Sequence, residues 1–140
     1  MFVLDTDTLT LAFHKHPTVT ARMKAADQPV VIAIVTRLEV LAGRSDAILK
    51  AENAERLLHA QAGYRASADF LDGFPVLWFD DAAAALSDQL RGTKGTKKVK
   101  VKLKDLLIAC ICLANDATLV TRNTKDFQGV PNLKLENWAD

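Results

Sequence analysis

Cysteine is nearly missing from this chain: there are two, Cys110 and Cys112. Two thiols cannot build a disulfide framework, and a reducing cytoplasm is the compartment they suit. Positions two apart on a helix diverge by about 200°, so the pair cannot clamp one metal ion and is expected in the core. Long apolar runs are missing as well. The longest, Leu106 to Ala114, has nine residues, too few to cross a bilayer, and no membrane contact is expected. The first residues lack the basic, then apolar, then small-residue layout of a secretory signal. No repeat, low-complexity stretch or linker interrupts the text. At 140 residues the chain suits a single domain, residues 1–140, with a sizeable core.

Charge is ordinary in amount and uneven in place. The net charge is +1, yet six lysines (94, 97, 98, 100, 102 and 104) fall between Lys94 and Lys104 with no acid among them. Outside that stretch, 12 basic residues face 17 acidic ones. An acidic body with one basic segment hints at an anionic partner. From Lys98 to Lys104, lysines alternate with Val99, Val101 and Leu103, which suits an extended strand, either a solvated edge or a rim for phosphates.

Strands and helices alternate along the rest. Phe2–Leu4 reads as a short buried strand, and Thr6 to Thr8 can cap a helix from Leu9 to His14. Pro17 opens a second helix reaching Ala26. Val30 to Val35 is a β-branched run fit for a strand buried on both faces. Thr36 to Ala42 reads as a helix stopped by Gly43. Asp46 to Leu71 reads as one long helix or two joined near Gly63. Val76 to Phe79 is a third strand, with Trp78 and Phe79 expected in the core, and Asp80-Asp81 caps a helix to Leu90. Leu106 to Asn115 is an apolar helix, Thr118 to Thr121 a fourth strand, and Leu133 to Leu135 a possible fifth. The expectation is a three-layer α/β/α sandwich around a mainly parallel sheet of four or five strands.

In such sheets ligands sit beyond the carboxyl ends of the strands, at a switch in strand order. The acids of interest fall there. Asp5 ends the first strand, where it either caps the next helix or holds something positive. Asp7 lies two residues on. Glu39 closes Thr36-x-x-Glu39, a capping-box pattern that also leaves it in a first helical turn past a strand. Asp105 leads the most apolar helix, and Thr121-Arg122-Asn123-Thr124-Lys125-Asp126 follows the fourth strand. Brought together without counter-charge, such carboxylates repel one another. Oxygen ligands with no matching His or Cys set favour Mg²⁺ or Mn²⁺ over zinc. The histidines (14, 16 and 59) are expected at the surface.

The set FVLDTDTL, TRLEVLAG, KDLLIACICLAND and TLVTRNTKDF resembles the PIN-domain nucleases, specifically the VapC-type toxins of bacterial toxin–antitoxin modules. The resemblance runs to Leu135-Glu136-Asn137-Trp138. It implies a Mg²⁺-dependent endoribonuclease, with Mn²⁺ as a substitute, whose acidic site maps to Asp5, Glu39 and Asp105. Many relatives have Asp after the Thr-Arg pair, where this chain has Asn123, so either Asp126 or the Asn123 amide oxygen takes the fourth place. Asp5 and Asp105 would hold the metal, and Glu39 would bind the attacking water or take its proton. Asp7, Thr121 and Asn123 would orient these groups, and Lys98, Lys100, Lys102, Lys104 and Arg122 would bind RNA. Attack by water implies a 5′-phosphate and a 3′-hydroxyl. The resemblance further implies a homodimer, a VapB-like antitoxin covering the site, and structured RNA such as tRNA as substrate.

Two other readings compete. Asp5-Thr6-Asp7 resembles the nucleophile motif of haloacid-dehalogenase-type phosphatases, although the late loop lacks their paired acids. Alternatively, Asn123 marks a PIN fold that only binds RNA or a partner.

Overall fold

The computed structural model of the chain describes residues 1–92 and 101–140. Strand β1 (Phe2–Leu4) leads into helix α1 (Thr6–Phe13). The turn between them is set by Asp5, whose carboxylate accepts the Thr8 N–H at 2.8 Å, as an N-cap does. Helix α2 (Pro17–Ala25) starts on Pro17, with the His16 ring nitrogen accepting the Val19 N–H. Strand β2 (Val30–Ala33) runs directly into α3 (Ile34–Leu49), followed by α4 (Ala54–Leu71), β3 (Val76–Leu77) and α5 (Asp81–Arg91). Asp80 caps α5 through the Ala83 N–H. Helix α6 (Leu103–Ala114), β4 (Thr118–Val120), a 3-10 turn (Thr124–Phe127) and β5 (Lys134–Glu136) complete the chain.

Among the described residues every strand pairing is parallel, in the order β3-β2-β1-β4-β5. β1 is central, and Leu4 lies opposite both Ile32 and Val120. Alternate side chains feed two cores. Val3, Val31 and Leu119 join Leu106, Ile108, Ala109, Cys110, Ile111 and Cys112 of α6 on one face. Leu4, Ile32 and Val120 join Leu9, Val19, Leu71 and Trp138 on the other. This is the expected three-layer sandwich, with five strands among the described residues. Cys110 and Cys112 are fully buried thiols of the first core. Among the described residues no helix is long and apolar enough to cross a membrane.

Several boundaries differ from expectation, each for a physical reason. β2 ends at Ala33, and Ile34 and Val35 turn into α3, where both rest against the α6 core; tertiary packing overrides their β-branched preference. The capping box is not formed. Thr36 lies one turn inside α3, the cap position is Ala33 with no side-chain bond, and Thr36 Oγ1 is buried without a partner among the described residues. Gly43 does not stop α3, and Gly63 lies inside α4. The break comes at residues 50–53, where Asn53 caps α4 through the Arg56 N–H.

At Gly63 a missing side chain is useful. A Cβ there would stand 3.2 Å from the Arg44 guanidinium, which lies across α4 and donates from Nε to Ser67 Oγ at 3.0 Å. Trp78 and Phe79 are not core residues: β3 stops at Leu77, leaving Trp78 67% and Phe79 37% exposed. Leu103 and Lys104, expected in an extended segment, already belong to α6, with Lys102 at its cap. Lys98 and Lys100 lie outside the described residues.

Gly43 sits in mid-helix with nothing within 4 Å of where a Cβ would go. Gly43→Ala should therefore stabilise the protein by about 0.5–1 kcal/mol by restricting the unfolded chain. Gly63→Ala, which must displace Arg44, should gain less or lose. Thermal unfolding of both variants checks the ranking.

Candidate active site

The carboxyl ends of β1, β2 and β4 open at one edge of the sheet, and the residues that follow them line one cleft. Its walls are Asp5, Thr6, Asp7, Glu39, Lys102, Leu103, Lys104, Asp105, Ile108, Asn123, Asp126 and Phe127, around a space of about 550 Å³. Four carboxylates expected together from distant segments, Asp5, Glu39, Asp105 and Asp126, are brought together, with Asp7 beside them. Lys102 and Lys104 form part of the same rim. Arg122 does not reach it. It lines an adjoining cleft with Thr10, Leu11 and Asp140, which shares Asp7 and Asn123 with the first, and its guanidinium lies 3.6 Å from the Asp140 carboxylate.

Asp5 is the deepest of the acids, 8% exposed. Its backbone N–H donates to Val120 O at 3.0 Å, so the cap of α1 is tied to the end of β4. Burial pushes its carboxyl above the usual range, while the Thr121 hydroxyl and the Thr8 N–H and hydroxyl pull the other way. Thr121 is fully buried, and its hydroxyl also accepts the Asn123 N–H at 3.0 Å. Asn123 then donates its side-chain N–H to Asp7 at 3.3 Å, which leaves its carbonyl oxygen as an acceptor.

Glu39 and Asp105 are electrostatic opposites. The Lys104 ammonium, 2.7 Å from Glu39 Oε2, holds the Glu39 carboxyl below its usual range, with help from the Thr6 hydroxyl. Asp105 is pushed up, first by burial and then by Asp126, Asp5 and Glu39, with Lys102 opposing. Sequence reasoning gives Thr6 a capping role alone; an uncharged residue at a helix start carries no signal of a contact with Glu39.

Among the described residues, no three His, Cys, Asp or Glu side chains form a finished ion cage. The donors are nonetheless all oxygens, they are negative, and Asp105 feels three of the others. An open rim of this kind fits a hard cation that keeps several of its waters; it does not fit zinc, since among the described residues no His or Cys lines the cleft.

The family model for the PIN domain matches residues 2–133. This chain belongs to the PIN-domain family, in its VapC branch. PIN membership replaces the phosphatase reading of Asp5-Thr6-Asp7. Ribonuclease VapC2 of Rickettsia felis is 30% identical over 141 residues, covering 99% of this chain and 98% of the relative. The tRNA(fMet)-specific endonuclease VapC of Salmonella typhimurium is 25% identical over 139 residues, covering 99% and 98%. A crystal structure of VapBC2 from Rickettsia felis bound to a promoter DNA fragment superposes with a TM-score of 0.73 at 28% identity, covering 98% of each chain. That of DNA-bound VapBC from Salmonella typhimurium gives 0.73 at 26% identity, covering 98% and 97%.

The raised Asp5 carboxyl has a signed consequence. A folded-state value above the unfolded one means that charging Asp5 costs stability as pH climbs from the unfolded pKa through the raised folded one. In EDTA, Asp5→Asn, which keeps a capping side chain, should match the wild type in acid and exceed its stability above that window. Denaturant unfolding at a series of pH values reads this; a variant less stable at neutral pH than in acid, relative to wild type, would contradict it.

Proposed function

We propose that this PIN-domain protein is a divalent-cation-dependent endoribonuclease, the toxin of a VapC-type toxin–antitoxin pair. The observation that supports the reading is the cleft itself. Carboxylates from distant stretches of chain share one solvent-open space edged by Lys102 and Lys104, an arrangement that suits a phosphodiester once the negative charge is balanced. Asp5 and Asp105 would hold the cation, Mg²⁺ or Mn²⁺. When bound, it supplies a Lewis acid for the phosphoryl oxygen and lowers the pKa of a water.

The chain's own residues do the rest. Glu39 accepts the proton that the attacking water loses, acting as general base from a position in the same cleft. Asp126 and the Asn123 amide oxygen orient that water, and Asp7 fixes the Asn123 amide by accepting its N–H. Thr121 positions Asp5 and Asn123 together from beneath. Lys102 and Lys104 take RNA phosphates at the rim, Arg122 takes one in the adjoining cleft, and Lys98 and Lys100 extend the same basic stretch. Because water attacks and not the 2′-hydroxyl, the products carry a 5′-phosphate and a 3′-hydroxyl.

The relatives' names favour structured RNA such as tRNA as substrate and a VapB-like antitoxin as partner. Exposed Leu38 on α3 and Leu57 and Leu58 on α4, with Trp78 beyond β3, give apolar surface for an antitoxin and for a homodimer. A cytoplasmic location completes the proposal.

Asp5→Asn and Asp105→Asn should each lower Mg²⁺-dependent cleavage of a tRNA pool by at least about 100-fold without loss of circular dichroism signal. Sequencing of the cut ends should return 5′-phosphates. Cleavage at the wild-type rate by either variant would overturn the reading.

A further inference from the structure

The cleft carries a cation of its own. Lys104 Nζ lies 2.7 Å from Glu39 Oε2, joining residues 65 apart in the chain. Among the described residues this is the one ion pair that engages an acid of the cleft; the others lie elsewhere on the surface. The Lys104 side chain is 67% exposed and that of Glu39 32%, so the pair is screened and readily broken. Lys104 also belongs to the first turn of α6, the positive end of a helix, where a cation is placed unfavourably unless an acid answers it. Glu39 is that acid.

We infer that Lys104 is a resident counter-cation of the acidic cleft, which a divalent ion has to dislodge and which then turns to the RNA phosphate. The inference rests on the cation-dependent reading of the site. A doubly charged ion entering between Asp5 and Asp105 repels the ammonium and competes for the field of Glu39. The lysine ammonium is a compact charge on a flexible four-carbon stem, so it can leave Glu39 without disturbing the backbone of α6. Its departure makes the ammonium available at the rim where the phosphates enter. The pair thus keeps the cation-free cleft partly compensated and links cation loading to RNA capture, and such a linkage is reciprocal.

The test uses Mn²⁺ alone, without RNA, titrated into the full chain and read by the electron paramagnetic resonance of free Mn²⁺. Lys104→Met should bind Mn²⁺ about two- to five-fold more tightly than wild type, the range expected for loss of an exposed ion pair. Lys102→Met, which removes a rim charge that is not paired with Glu39, should gain less. In the Glu39→Gln background, Lys104→Met should gain no more than Lys102→Met does, because the competing contact is already gone. Lys104→Gln carries the same comparison should the Met variant fail to fold. Unchanged affinity on loss of Lys104, or an equal gain with and without Glu39→Gln, overturns the inference and leaves the cation reading standing. Absence of any Mn²⁺ uptake that depends on Asp105 overturns both.

Discussion

Like charges confined to one cleft are the constraint from which the rest of this site follows. Asp5, Asp7, Glu39, Asp105 and Asp126 border a common space, and their mutual repulsion is visible in the upward pressure on Asp105 from three of the others. A protein tolerates such a grouping only when something positive answers it. Here Lys104 answers Glu39, Lys102 partly answers Asp105, and helix starts answer Asp5 and Asp105 with backbone N–H groups and dipole. The remainder of the charge is what the proposed cation would balance. On that proposal, the residues that would hold the ion and those that prepare the cleft for it are parts of one electrostatic balance.

The sheet makes the grouping unavoidable. With β1 at the centre and the chain winding outward first through β2 and β3, then through β4 and β5, the ends of β1, β2 and β4 are neighbours. Whatever follows them shares the same edge, at the switch in strand order where parallel sheets leave a crevice. The Asp5 N–H to Val120 O bond welds two of those ends together, so Asp5 and the Thr121–Asp126 loop hold a fixed relation.

Much of this was legible in the residues. Short apolar runs ending on Asp or Thr read correctly as strands whose ends matter, because burial on both faces leaves no alternation to misread. The helix breaks were less legible. Ile34 and Val35 look like strand but lie in α3, since the space they fill beside α6 is set by elements far away in sequence. Gly63 looks like a joint and is a seat for Arg44, whose approach no local pattern announces. Trp78 and Phe79 look like core because size alone suggests burial, yet β3 stops before them at the sheet's edge.

The site divides in the same way. That the acids meet could be read from their positions at strand ends, since topology then decides. The Lys104–Glu39 contact could not, because Lys104 was expected in an extended segment and joins the cleft only through the early start of α6. The Asn123 bond to Asp7 ties the loop to α1. That tie depends on the loop's path after β4, which residue types do not specify. On the proposed reading the cleft is over-charged until a cation enters. Carboxyl-carbon NMR titration of Asp5 and Asp105, with and without Mg²⁺, addresses it most directly. Both should titrate above the ordinary Asp range in the metal-free protein and fall well below it with Mg²⁺. Ordinary titration in both conditions, unmoved by Mg²⁺, would contradict the account.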